Sequence, residues 1–76
     1  MQDATSYDSL RHFEFMNPKL KKRDIAARLR VSPSRYSYLR APESYRPRLA
    51  TEELSRIARL LNQPPEYVRN LYPKAA

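Results

Sequence analysis

The sequence predicts an all-α fold, a compact bundle of about five short helices formed by one domain over residues 1–76. Three observations predict it. Seven prolines and no glycine divide the chain into short segments, because proline is accepted in a first helical turn and rejected from a helix interior. Apolar side chains recur at three- and four-residue spacing within those segments, most clearly at Leu54, Ile57, Ala58 and Leu61. No segment shows the apolar–polar alternation of a half-buried strand.

The first helix is expected near residues 6–16, with Tyr7, Leu10 and Phe13 facing inward and Phe15 or Met16 completing the stripe, before Asn17 and Pro18 end it. The second is expected near 21–29, burying Ile25, Ala26 and Leu29. Ser32 and Pro33 then form a start signal, serine as the cap and proline in the first helical position. The third helix runs over about 33–40, stopped by Ala41 and Pro42, and a loop follows over 42–50. Thr51 is the expected cap of a fourth helix, 51–61, whose Glu52 and Glu53 suit its dipole and whose end Asn62 can close in a left-handed conformation. Pro64 and Pro65 open a fifth helix near 65–72. Its Tyr67, Val68, Leu71 and Tyr72 serve either the core, the plainer role, or a dimer face.

Composition narrows the function classes. A domain of this length buries roughly 60% of its unfolded surface, which leaves no room for a cofactor pocket beside a catalytic apparatus. Cysteine is absent, so neither a disulfide framework nor a thiolate metal site is available. His12 is the only histidine, and no metal site is expected around it. Glu52 and Glu53 are adjacent on a helix and point apart, so they do not form an acid–base pair. Neither an enzyme, nor a cofactor, nor a small-molecule substrate is expected. The apolar runs are too short for a membrane span, and residues 1–10 do not resemble a signal peptide, so a soluble cytoplasmic protein is the default.

The net charge is +7, and its placement is uneven. Residues 17–48 hold ten basic side chains against two acidic ones, a net +8, while the rest of the chain carries −1. Such concentration is the electrostatic footprint of a polyanion binder. It surrounds two expected helices separated by only three residues, 30–32. A connection that short forces a steep crossing, the arrangement of a helix-turn-helix, whose second helix is narrow enough to enter the major groove of DNA.

The segment 20–40 resembles the phage repressor and Cro class of helix-turn-helix proteins. Leu20, Ile25 and Ala26 match the opening pattern of an aliphatic, intervening polar residues, an aliphatic and a small residue. Leu29 and Val31 match the apolar pair flanking the turn, and Tyr36 and Leu39 the core positions of the recognition helix. Residues 54–62 look like the fourth helix of that class, so the resemblance extends from Leu20 to Tyr72. The chain departs from the pattern twice. Arg30 stands where the class usually has glycine, so either it takes a left-handed conformation or the turn is reshaped, and Lys21 and Lys22 replace the usual polar cap and glutamine. The resemblance implies a sequence-specific duplex-DNA binder of bacterial, phage or plasmid origin. It would act most simply as a transcriptional repressor, or as a plasmid maintenance protein on repeated sites. On that reading the protein is nucleoid- or plasmid-associated, and residues 1–76 are a single DNA-binding domain, either whole or part of a longer protein.

Helical phase selects the contact residues. With Tyr36 and Leu39 inward, Ser34, Ser37 and Tyr38 lie on the outer face and Arg35 flanks it. These four are the candidate base contacts, and Arg35 suits a bidentate pair with guanine. Lys19, Lys21, Lys22, Arg23, Ser32, Arg40, Arg46 and Arg48 are the candidate phosphate contacts, which carry affinity rather than sequence information. One recognition helix covers few base pairs, so self-association on a palindrome or on repeats is expected. Two rival readings stand beside this one. The first is an RNA or single-strand binder stacking bases on Tyr36, Tyr38 and Tyr45; the second is a protein-interaction module for an acidic partner.

Overall fold

The computed structural model describes residues 5–73. Among them the proline-delimited segments fold as five α-helices: α1 (Leu10–Met16), α2 (Lys22–Leu29), α3 (Pro33–Leu39), α4 (Thr51–Leu61) and α5 (Pro65–Leu71), with a 3-10 turn at Glu43–Tyr45. There is no strand among the described residues, so the all-α expectation holds. No helix there is long and apolar enough to cross a membrane.

One core joins all five helices: Leu10 and Phe13 from α1, Ile25, Ala26 and Leu29 from α2, Tyr36 and Leu39 from α3, Ile57, Ala58 and Leu61 from α4, and Val68 from α5. Tyr72, just beyond α5, completes it. α4 packs on both α5 and α2, and α2 packs on α3. Val68 and Tyr72 are buried, with Tyr67 and Leu71 packed against them, so the apolar face of α5 closes the core of its own chain.

Helix α1 begins at Leu10, not near Ser6. Ser9 is its cap, with its hydroxyl accepting from the His12 N–H, and the residues before it run extended against the α4–α5 turn. There the Tyr7 N–H donates to the Leu61 carbonyl at 2.9 Å, the Ser6 hydroxyl to the Asn62 carbonyl, and the Asn62 amide to the Thr5 carbonyl. Backbone groups a longer helix would have used internally are taken by tertiary partners. The expected inward role of Phe15 or Met16 is likewise corrected, since these side chains are 80% and 53% exposed. At about 100° per residue, Phe15 falls opposite the Leu10 and Phe13 face.

Two helices end without glycine in the same way. Arg30 (φ 59°, ψ 40°) and Asn62 (φ 55°, ψ 47°) are left-handed, closing α2 and α4. The Val31 N–H reaches the Ala26 carbonyl and the Arg30 N–H that of Ala27, the paired bonds of a Schellman turn. Gln63 to Ala58 and Asn62 to Arg59 repeat the pattern. Ser32 and Pro33 open α3 as expected, the serine hydroxyl accepting from the Arg35 N–H. The cap of α4 is Ala50 rather than Thr51, because the Glu53 carboxylate reaches back to the Ala50 N–H at 2.9 Å. Asp24 does the same for Lys21 at the start of α2.

Candidate nucleic-acid interface

The phase of α3 divides the candidate residues. Tyr36 and Leu39 are 1% exposed and fill the core, while Ser34, Ser37 and Tyr38 lie on the outer face. Tyr38 is 62% exposed, and Ser37 turns its hydroxyl to the Pro33 carbonyl within the helix. α3 therefore presents two small hydroxyls and one large aromatic edge to solvent.

The arginines around α3 are mostly committed to the protein. Arg35 grips Glu53 with two bonds of 2.8 Å, one from Nε and one from Nη2, and also donates to the Arg48 carbonyl at 2.8 Å. The bond from Glu53 raises the Arg35 guanidinium further, and Arg35 in turn is the main reason the Glu53 carboxyl lies below its ordinary range. This pair ties the start of α3 to the start of α4. To reach a base, Arg35 would have to surrender both charge-assisted bonds.

A second knot holds the end of α3. Arg40 binds Glu14 of α1 with bonds of 2.6 and 2.8 Å, the Tyr36 hydroxyl donates to the same carboxylate, and Arg11 caps the Arg40 carbonyl. Burial alone would raise the Glu14 carboxyl, but its bonds from Arg40 and Tyr36 outweigh that and hold it low. Burial, then the bond to Glu14, pushes the Tyr36 phenol far above its ordinary value. Arg46 forms the third knot. It donates to the Ala41 and Leu71 carbonyls and lies over the Tyr72 ring at 5.3 Å, while the Tyr72 hydroxyl donates to the Leu39 carbonyl. Burial pushes the Tyr72 phenol up to about 12.

Three predicted contact residues, Arg35, Arg40 and Arg46, thus brace the ends of α3 and the loop after it. Ser32 is engaged as the α3 cap. Lys19, Lys21, Lys22, Arg23 and Arg48 are exposed, and their side chains form no ion pair among the described residues. Lys22, at the start of α2, adds a smaller lowering of the Glu14 carboxyl. Sequence reasoning missed Glu14 as the anchor of α3, and took Glu53 only as a dipole partner. Neither pairing has a sequence signal, since the partners lie 26 and 18 residues apart. Of the three tyrosines the single-strand reading would use, Tyr36 is closed in the core, and Tyr38 and Tyr45 are open.

Comparison with known protein families, with curated proteins and with solved structures finds no match for this chain.

Proposed function

We propose that the chain is a sequence-specific duplex-DNA-binding domain of the helix-turn-helix kind, acting as a repressor by occupying its sites. The observation that carries this reading is the outer face of α3. It is a core-anchored helix face bearing Ser34, Ser37 and Tyr38, and α2, the helix that packs against α3, starts with a run of exposed cations. A seven-residue helix whose outer face is two serines and one tyrosine fits the major groove, where hydroxyls can pair with several base edges and an aromatic edge can meet a thymine methyl. Lys19, Lys21, Lys22, Arg23 and Arg48 supply phosphate contacts. In this reading Arg35, Arg40 and Arg46 are positioning residues: they hold α3 at both ends and do not touch DNA. A face this small covers few base pairs, so two or more copies act together on a palindrome or on repeats.

Selection of bound sequences from a random duplex library tests the proposal. An enriched motif is expected, and affinity for it should fall with salt at a log–log slope near −0.9 per phosphate neutralised. Ser34→Ala and Tyr38→Ala should flatten discrimination between the selected and a scrambled duplex, whereas Lys22→Ala should weaken both equally. A library that returns no motif, with tighter binding to single strands than to duplex, would remove the duplex reading.

A further inference from the structure

The protein carries a second concentration of positive charge, at the end of α2 and on α4. An open groove of about 690 Å³ is bordered by Arg28, Arg30, Arg56 and Arg59, and no acidic side chain among the described residues lines it. The left-handed turn after α2 places Arg30 there, next to Arg28 from the end of that helix. Arg56 and Arg59 stand three residues apart on α4 and so share a face. Whereas Arg35 and Arg40 each grip a carboxylate, only Arg56 of these four forms an ion pair among the described residues, a long contact of 3.9 Å to Glu52. Four like charges around one hollow focus a field that attracts anions. No residue of α3 and none of 19–23 borders the groove, so it is separate from the proposed DNA face.

We propose that this groove is a second binding site, which takes an acidic peptide segment carrying isolated apolar side chains, supplied by a partner protein. The charge selects an anion, and the shape and floor select its class. Guanidiniums are planar forks that pair bidentately with carboxylates, as Arg35 and Arg40 do within this fold. The groove also has an apolar side, at the half-buried Leu60, that could receive a leucine-sized side chain. A DNA duplex meets proteins through convex phosphate ridges and has nothing to place on such a floor. A single strand would need a stacking platform, but Phe13 is buried and packed edge to face with Tyr7, whose ring also meets His12. The site does not depend on whether α3 reads DNA.

The test uses the whole chain, isotope-labelled for amide NMR and titrated at low salt with a short peptide of glutamates and isolated leucines. The glutamine version of that peptide is the control. Resonances of Arg28, Arg30, Arg59 and Leu60 are expected to shift with the glutamate peptide and to stay still with the control. Arg28→Glu combined with Arg59→Glu should weaken binding by about tenfold or more, consistent with reversing charges at an electrostatic contact. The Gln pair at the same exposed positions serves if the Glu variant does not fold. Ser34→Ala and Tyr38→Ala should leave peptide binding unchanged. Shifts confined to residues 19–23 and α3, or equal binding of the glutamine peptide, would overturn the proposal. So would displacement of the peptide from the groove by a thymidine oligonucleotide at lower concentration, or a parallel loss of duplex binding in the Arg28 and Arg59 variant. The last two outcomes would assign the groove to nucleic acid.

Discussion

The pairing of Arg35 with Glu53 yields the sharpest prediction, because it decides whether this arginine is a strut or a reader. The perturbation is a double-mutant cycle of Arg35→Ala, Glu53→Gln and both together. Charge-assisted hydrogen bonds contribute about 1.5–3 kcal/mol when well shielded, whereas exposed ion pairs contribute about 0–1 kcal/mol. Here the Glu53 side chain is 12% exposed and that of Arg35 34%, and two bonds of 2.8 Å join them. The interaction therefore lies between the two regimes, at a coupling energy of about 1–2 kcal/mol. Arg35→Ala alone should cost somewhat more, because it leaves a largely buried carboxylate with only the Ala50 N–H and drops the bond to the Arg48 carbonyl. In a domain of this size each kcal/mol moves Tm by about 4–8 °C, so thermal unfolding followed by circular dichroism resolves the effect. Binding to the selected and scrambled duplexes, measured well below the variant's Tm, completes the assay. As a strut, Arg35 couples to Glu53 and its loss leaves the ratio of the two affinities intact. An unchanged Tm for Arg35→Ala with a collapsed affinity ratio would refute the reasoning and make Arg35 a base contact.

Three further outcomes are expected. Glu14 and Glu53 are both held below their ordinary carboxylate values, so each stabilises the fold fully above its unfolded pKa; that stabilisation is lost as pH falls from there through the lower folded value. Urea unfolding across the acid range should show stability falling with pH, less steeply in Glu14→Gln, whose stability at neutral pH is already lower. Arg30→Gly should raise stability by about 0.5–1 kcal/mol, since the left-handed conformation costs an arginine about 1–2 kcal/mol and glycine returns part of that as chain entropy; a fall in Tm would show that the Arg30 side chain itself supports the turn. Ala26 is 1% exposed where α2 packs against its neighbours, so Ala26→Leu should cost about 1–3 kcal/mol by overpacking, and chemical denaturation would show it.

Sequence periodicity found the existence and order of all five helices, and their expected bounds agree with the structure to within a residue at every end except the start of α1. The reason is local: a cap, a first-turn proline or a 3.6-residue stripe acts within one helix. Helix α1 shows where local rules stop. The stripe allows a start near Ser6, but residues 5–7 bond to Leu61, Asn62 and Gln63, and Ser9 is the cap instead. Thr51 lost its expected role the same way, once the Glu53 carboxylate, held by Arg35, bonded the Ala50 N–H.

The candidate site divides along the same line. Helical phase determined the outward set of Ser34, Ser37 and Tyr38, because burying Tyr36 and Leu39 leaves a rigid helix no other choice. At Arg30 the missing glycine left a left-handed residue or a reshaped turn open, and the structure takes the left-handed residue. The tertiary structure alone decided which of the many arginines are free. A guanidinium pairs with whatever carboxylate or carbonyl the packing brings within reach, and for Arg35, Arg40 and Arg46 those partners come from distant parts of the chain. Sequence counts charges; only the fold shows which have been taken up inside it and which, at the start of α2 and around the Arg28 groove, still face outward.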